Sequence, residues 1–295
     1  MRRLARWAVV AIATVVLSLS ALVATLWQTT SARVREIPFS TSLATGVVGA
    51  DWAERYGYAG EPVDGEVEEF GTFSRLDFDA DAVDPEIRRF YERTANYDMG
   101  YTVEWHRGFR LGAWLASFAT TAIGQLNLPG RSDDGVRHLE SRLASVPDSV
   151  DPRDSVVWTR TDPASGAAVF VAIYARHTHQ GVTYANVAVP LPFTNLSTVL
   201  RPRALATASR ADDGVEFTTE GPGDGGLYLV TPLGPLDLPM AQSFRVWPAD
   251  AEGAPASPTA EPDLVATHEM WLCGRQFLTI TYGIERSIDE DGPER

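Results

Sequence analysis

The chain is expected to fold as an α+β domain behind one transmembrane helix, and three observations carry that expectation. An uncharged run of 21 residues, Trp7–Trp27, lies near the start. Two helical stretches follow between Asp84 and Leu126. From Ser155 onward, apolar and polar residues alternate in short segments separated by turn residues. Helices first and strands afterwards point to an antiparallel sheet or partly closed barrel of about eight or nine strands.

The first element matches the roughly 20 apolar residues that cross a bilayer core, and its two tryptophans suit the interfaces. A cleavable signal is the competing reading, because Ser18-Leu19-Ser20 and Thr30-Ser31-Ala32 are small-x-small sites, but a 21-residue run is long for one. Arg2, Arg3 and Arg6 precede the run and Arg33 and Arg35 follow it, which favours an inside N-terminus. The expected location is therefore the cell membrane, single-pass, with the body outside the cytoplasm.

Residues 36–83, rich in Gly, Asp and Glu, read as a connector with one short strand around Phe70–Phe78. Asp84 then caps a helix, Pro85 suits its first position and Glu86 its N-terminal dipole, so a helix should run to about Asn96. A second helix is expected from about Val103 to Leu126, stopped by Pro129. Trp105, Phe109, Leu111, Trp114, Leu115, Phe118 and Ile123 surround most of its circumference, which predicts core packing. Contact with lipid or an apolar ligand is the alternative, and then Trp105, Phe109, Trp114 and Phe118 are the ligand-contacting candidates.

Strands are expected at Val156–Arg160, Ala168–Arg176, Val182–Val189, Ser197–Ser209, Val215–Glu220, Leu227–Thr231, Gln242–Trp247, Leu264–Leu272 and Phe277–Glu285. A loop of Cys273-Gly274-Arg275 registers the last hairpin, pairing Met270 with Leu278, His268 with Ile280, Ala266 with Tyr282 and Leu264 with Ile284. The division is then 1–35 tail and transmembrane helix, 36–83 connector, 84–285 domain and 286–295 acidic tail.

Composition excludes several chemistries. All 25 basic residues are arginine, so Schiff-base catalysis and an ordinary phosphate-loop lysine are absent. The one cysteine, Cys273, excludes an internal disulfide and a cysteine-rich zinc site. From Glu36 onward 20 arginines face 39 acids, a net −19 that argues against nucleic acid.

Local motifs fail in context. Gly221–Gly226 matches G-x-G-x-x-G but leads into Leu227-Tyr228-Leu229-Val230, a strand, so it reads as a turn. Asp77, Asp79 and Asp81 imitate a calcium loop, yet Ala82 and Arg88 stand where glycine and glutamate are needed. His177 and His179 read as loop-tip residues, two imidazoles being too few for a zinc site, and His268 as a hydrogen-bonded core histidine. No cofactor is expected.

Phe90-Tyr91-Glu92-Arg93-Thr94, Tyr97, Gln125-Leu126-Asn127-Leu128-Pro129 and Pro190-Leu191-Pro192 resemble segments of an uncharacterised family of bacterial membrane-anchored proteins. The resemblance spans roughly residues 75–285, implies no activity and transfers no site. The functional expectation is a non-enzymatic domain binding a partner or an apolar ligand. The opposing class is a metal-dependent enzyme using His177 and His179 with distant carboxylates.

Overall fold

The computed structural model describes residues 18, 21, 24–25, 33–205 and 214–287. Among them are twelve strands: β1 Tyr97–Trp105, β2 Asp133–Ser145, β3 Val156–Thr161, β4 Ala168–His179, β5 Val182–Leu191, β6 Thr194–Leu205, β7 Gly214–Thr218, β8 Gly226–Thr231, β9 Gly234–Asp237, β10 Met240–Pro248, β11 Leu264–Leu272 and β12 Arg275–Arg286. Strands β1 to β7 pair in chain order, β7 pairs with β10, and β12 returns to β1. Ten antiparallel strands thus close into a barrel. The β8–β9 hairpin extends from β6 outside that ring.

The fold class therefore differs from the α+β expectation, being mostly β with few short helices. Those helices are α1 Trp52–Arg55, α2 Pro85–Glu92 and α3 Arg110–Ile123. Closure removes the sheet edges that an open antiparallel sheet would leave unpaired. Apart from Ser18, Ala21, Ala24 and Thr25, the Trp7–Trp27 run lies outside the described residues. No helix among the described residues is long and apolar enough to cross a membrane.

Helix α2 begins as expected, with the Asp84 side chain accepting from Glu86 N at 2.7 Å. The second helix begins later than its composition suggests. Tyr97, Met99, Tyr101 and Val103 are all buried at period two, which makes this stretch strand β1. Gly108 at φ 98° turns the chain, and Gly124 at φ 62° ends α3 in a left-handed cap. The aromatic run thus spans a strand and a helix: Trp105 closes β1, whereas Trp114 and Phe118 stand on α3.

The last hairpin has the expected pairs from Met270↔Leu278 to Leu264↔Ile284. Its turn is shorter than expected, because Cys273 (φ 49°) and Gly274 (φ 74°) form a two-residue left-handed turn. An irregularity after Met270 leaves Phe277 as the additional residue and restores the register.

Segment 36–83 packs closely against the barrel. The Trp52 and Tyr58 rings stack at 4.6 Å, and Phe70–Phe73 is a 3₁₀ turn in place of the expected strand, with both phenylalanines buried. Phe70, Phe73, Ile87, Phe90 and Tyr91 belong to the same buried cluster as the inward residues of the strands. Residues 44–59 lie on the outer wall, where Trp52 packs with Val157, Val171 and Ile173 and Val48 N–H donates to Ile123 O at 2.7 Å. Residues 67–83 and α2 instead join the inward cluster and lead into β1, so they stopper one end of the barrel. Helix α3 joins β1 to β2 and therefore stands at the opposite end.

Candidate functional site

Side chains alternate in and out along each strand of a barrel, and here the inward set leaves a cavity of about 190 Å³. Its wall is largely apolar, with Phe73, Trp158, Phe217, Phe244, Met270 and Ile280 prominent. Leu126 and Leu128, which follow α3, reach the same space. A small polar set interrupts the wall, including Glu66, Arg160, Tyr174, Gln242 and His268.

Arg160 is the charged centre of that set. It shares an inward face of β3 with Trp158, and its guanidinium carbon lies 3.4 Å from the Trp158 ring centroid and 5.4 Å from that of Phe170. Its Nη2 donates to the Tyr174 hydroxyl at 3.2 Å. Glu66 is held by its backbone N–H on Tyr91 O at 2.9 Å. Burial pushes its carboxyl up to about 7, and the Arg160 charge only partly opposes this. His268 shares a 3.1 Å hydrogen bond between Nε2 and Gln242 Oε1. Burial, reinforced by Arg160, drives its imidazole down to about 4, so it is neutral at ordinary pH.

Gln125 fixes the segment between α3 and the cavity. It is fully buried, donates from Nε2 to Val171 O at 2.8 Å and Pro190 O at 3.2 Å, and accepts from Val171 N at 2.9 Å. One side chain thereby ties this segment to β4 and β5.

The sequence-derived candidates take different places. Trp105 is half-buried, donates from Nε1 to Pro129 O at 2.7 Å and stacks near Phe277; Phe109 lies 5.8 Å from the same ring. Trp114 and Phe118 are not in the core: they are 39% and 61% exposed, and Leu111 and Leu115 beside them are 69% and 55% exposed. Only Ala113 of α3 is buried. A strongly apolar helix thus turns most of its surface outward.

His177 and His179 do meet a distant carboxylate, on the outer wall of the barrel. His177 Nε2 and His179 Nδ1 lie 3.1 Å and 2.8 Å from the same Asp224 Oδ2, and His177 Nδ1 lies 2.9 Å from Asn186 Oδ1. Their loop-tip reading is corrected for His177, whose side chain is only 7% exposed. Asp224 sits in the Gly221–Gly226 turn, which leads into β8 as expected, and Tyr184 OH accepts from its backbone N–H. Among the described residues, no three His, Cys, Asp or Glu side chains gather in a metal-binding group. In the calcium-like run, Asp77 is engaged by Arg75 and Arg201, and Asp79 accepts from Asp81 N.

Sequence reasoning missed the polar cavity set. The available signal was Arg160 itself, an arginine on the same period-two face as Val156 and Trp158. Glu66 had none, because its position depends on how segment 36–83 folds back.

Comparison with known proteins agrees with the resemblance noted in the sequence. The chain is 29% identical over 226 residues to the uncharacterized membrane protein YndJ of Bacillus subtilis (strain 168). The match covers 75% of this chain and 38% of that relative, so the chain spans well under half of its length. No family model matches the chain. No solved structure matches it either.

Proposed function

We propose that the barrel is a receptacle for a small apolar ligand and that the protein works at a membrane. The observation that carries the first part is the cavity, mostly apolar and interrupted by a few oriented polar groups, the usual make-up of a small-molecule site. Support for the second part comes from the Trp7–Trp27 run and from the membrane relative.

Helix α3 adds an independent observation. From Trp105 to Ser132 the sequence has no acidic residue but carries Arg107, Arg110 and Arg131, in a body that is otherwise strongly acidic. Exposed Leu111, Trp114, Leu115 and Phe118 beside these arginines fit the interface of an anionic bilayer. On this reading Trp114 and Phe118 meet the lipid surface, while Trp105 and Phe109 hold the helix to the barrel end through Phe277.

Titration of the full-length protein with 1-octanol, followed by tryptophan fluorescence, tests the receptacle. Saturable binding of one equivalent is expected, abolished when Val187→Phe fills the cavity. Non-saturable partitioning that is identical in the variant would exclude the reading.

A further inference from the structure

Arg160 is costly where it stands. A guanidinium held among aromatic rings has lost much of its hydration, and an unmatched cation in such a place is strongly unfavourable. Among the described residues no carboxylate lies within ion-pair distance of it, although Glu66 feels its charge, and its Nε is buried without a hydrogen-bond partner. Trp158 and Tyr174 supply a ring face and a hydroxyl, which orient the group without neutralising it. Glu66 is the nearby acid of the cavity, and it shares its surroundings with Arg160, Tyr91 and Tyr174. Arg176 also lines the wall, closer along β4 to the β4–β5 turn.

We infer that the cavity takes a small amphiphile with a carboxylate head, its anionic end seated on Arg160 and its chain among Trp158, Phe217, Phe244 and Met270. This rests on the reading of the barrel as a ligand receptacle and names the ligand class. A guanidinium fork matches the two oxygens of a carboxylate, and a desolvated cation gains most from a monoanion. The phosphate dianion would add a second buried charge beside Glu66. Size sets the chain length: a dry cavity of 150 Å³ accepts benzene, so about 190 Å³ suits a short- or medium-chain acid, not a long-chain lipid.

Calorimetric titration of the full-length protein held in amphipol, with a blank titration into amphipol alone, separates the two readings. Sodium octanoate and 1-octanol share a chain and differ in charge. At pH 6, octanoate should bind at least about tenfold more tightly, the worth of one charge-assisted hydrogen bond. Arg160→Met should abolish that preference and leave octanol affinity within about twofold. Should Arg160→Met not fold, Glu66→Gln provides the check: at pH 8 it should strengthen octanoate binding over wild type and leave octanol unchanged. Equal affinities in the wild type, or octanoate binding indifferent to both substitutions, would overturn the carboxylate assignment while the receptacle stands. If neither compound binds, both readings fall.

Discussion

Glu66 and His268 face one cavity and titrate in opposite senses. Both are half-buried by surface area, and their open surface is that of the cavity. Between 4.5 and about 7 the folded chain keeps a proton on Glu66 that the unfolded chain has released, so this group lowers stability as pH rises. Between about 4 and 6.5 the unfolded chain protonates His268 while the folded chain does not, so this group raises stability as pH rises. Each effect is worth about 3 kcal/mol, since one pKa unit corresponds to 1.36 kcal/mol. They cancel over most of their shared window, and urea midpoints should be nearly flat there. Glu66→Gln should expose the His268 slope, with stability rising from pH 4 to 6.5, and His268→Gln should expose the reverse. Profiles parallel to wild type in both variants would contradict these assignments. On the outer wall, Asp224→Ala should cost about 2 kcal/mol by releasing the turn that His177 holds, whereas His179→Ala should stay within about 0.5 kcal/mol. Thermal melts of the two variants decide it. None of these partners is close in sequence, Asp224 standing 47 residues from His177, so spacing alone could not bring them together.

Helices and strands differed in how legibly they were written. The β11–β12 register followed from the apolar set alone, because a slip of one residue would turn Met270, His268 and Ala266 to the other face. Strand β1 was concealed because Met99-Gly100-Tyr101 resembled a helix break before an aromatic run. Strand β2 was missed because its sequence, DDGVRHLESRLAS, has polar and charged residues at most positions. Helix α3 had the right residues and the wrong surroundings, since periodicity reports an apolar surface without saying what covers it. Its exposure makes a direct prediction: Trp114→Ala and Phe118→Ala should each cost under about 1 kcal/mol, in contrast to the 3–5 kcal/mol of a buried aromatic. Both should weaken flotation with vesicles containing anionic lipid. Unaltered flotation would remove α3 from the membrane contact. Gly130→Val is the converse test. A Cβ there would sit 2.6 Å from Ser117 Oγ and 3.3 Å from Trp114 Cα, so the substitution should dislodge the helix and raise its amide exchange.

At the scale of the molecule, closure depends on an uneven ring. The β11–β12 and β1–β12 seams each run through nine residue pairs, whereas β1–β2 and β7–β10 have only four each, and β7, with five residues, is the shortest strand of the ring; it meets β10 from Ser243↔Thr218 to Val246↔Val215. The β7–β10 seam is crossed by side chains centred on Glu216, which is 2% exposed. It binds Arg203 of β6 and accepts from Ser243 Oγ and from Arg245 Nε of β10, the last at 2.9 Å. Burial opposes the Glu216 charge, but these donors outweigh it and hold the carboxyl below its ordinary 4.5. The stability it contributes is present above that value and lost as pH falls through the depressed one. Glu216→Ala should cost about 3 kcal/mol, the low end for a broken buried pair, because Arg203 keeps half of its side chain in water. Hydrogen exchange should then accelerate first in β7; uniform acceleration around the ring would argue against a local seam. A cask with one narrow stave gives way there before its hoops slip, so a ligand of the proposed kind need not pass through either end of this barrel. A brief parting of β7 from β10, eased by acid, would give it a side door.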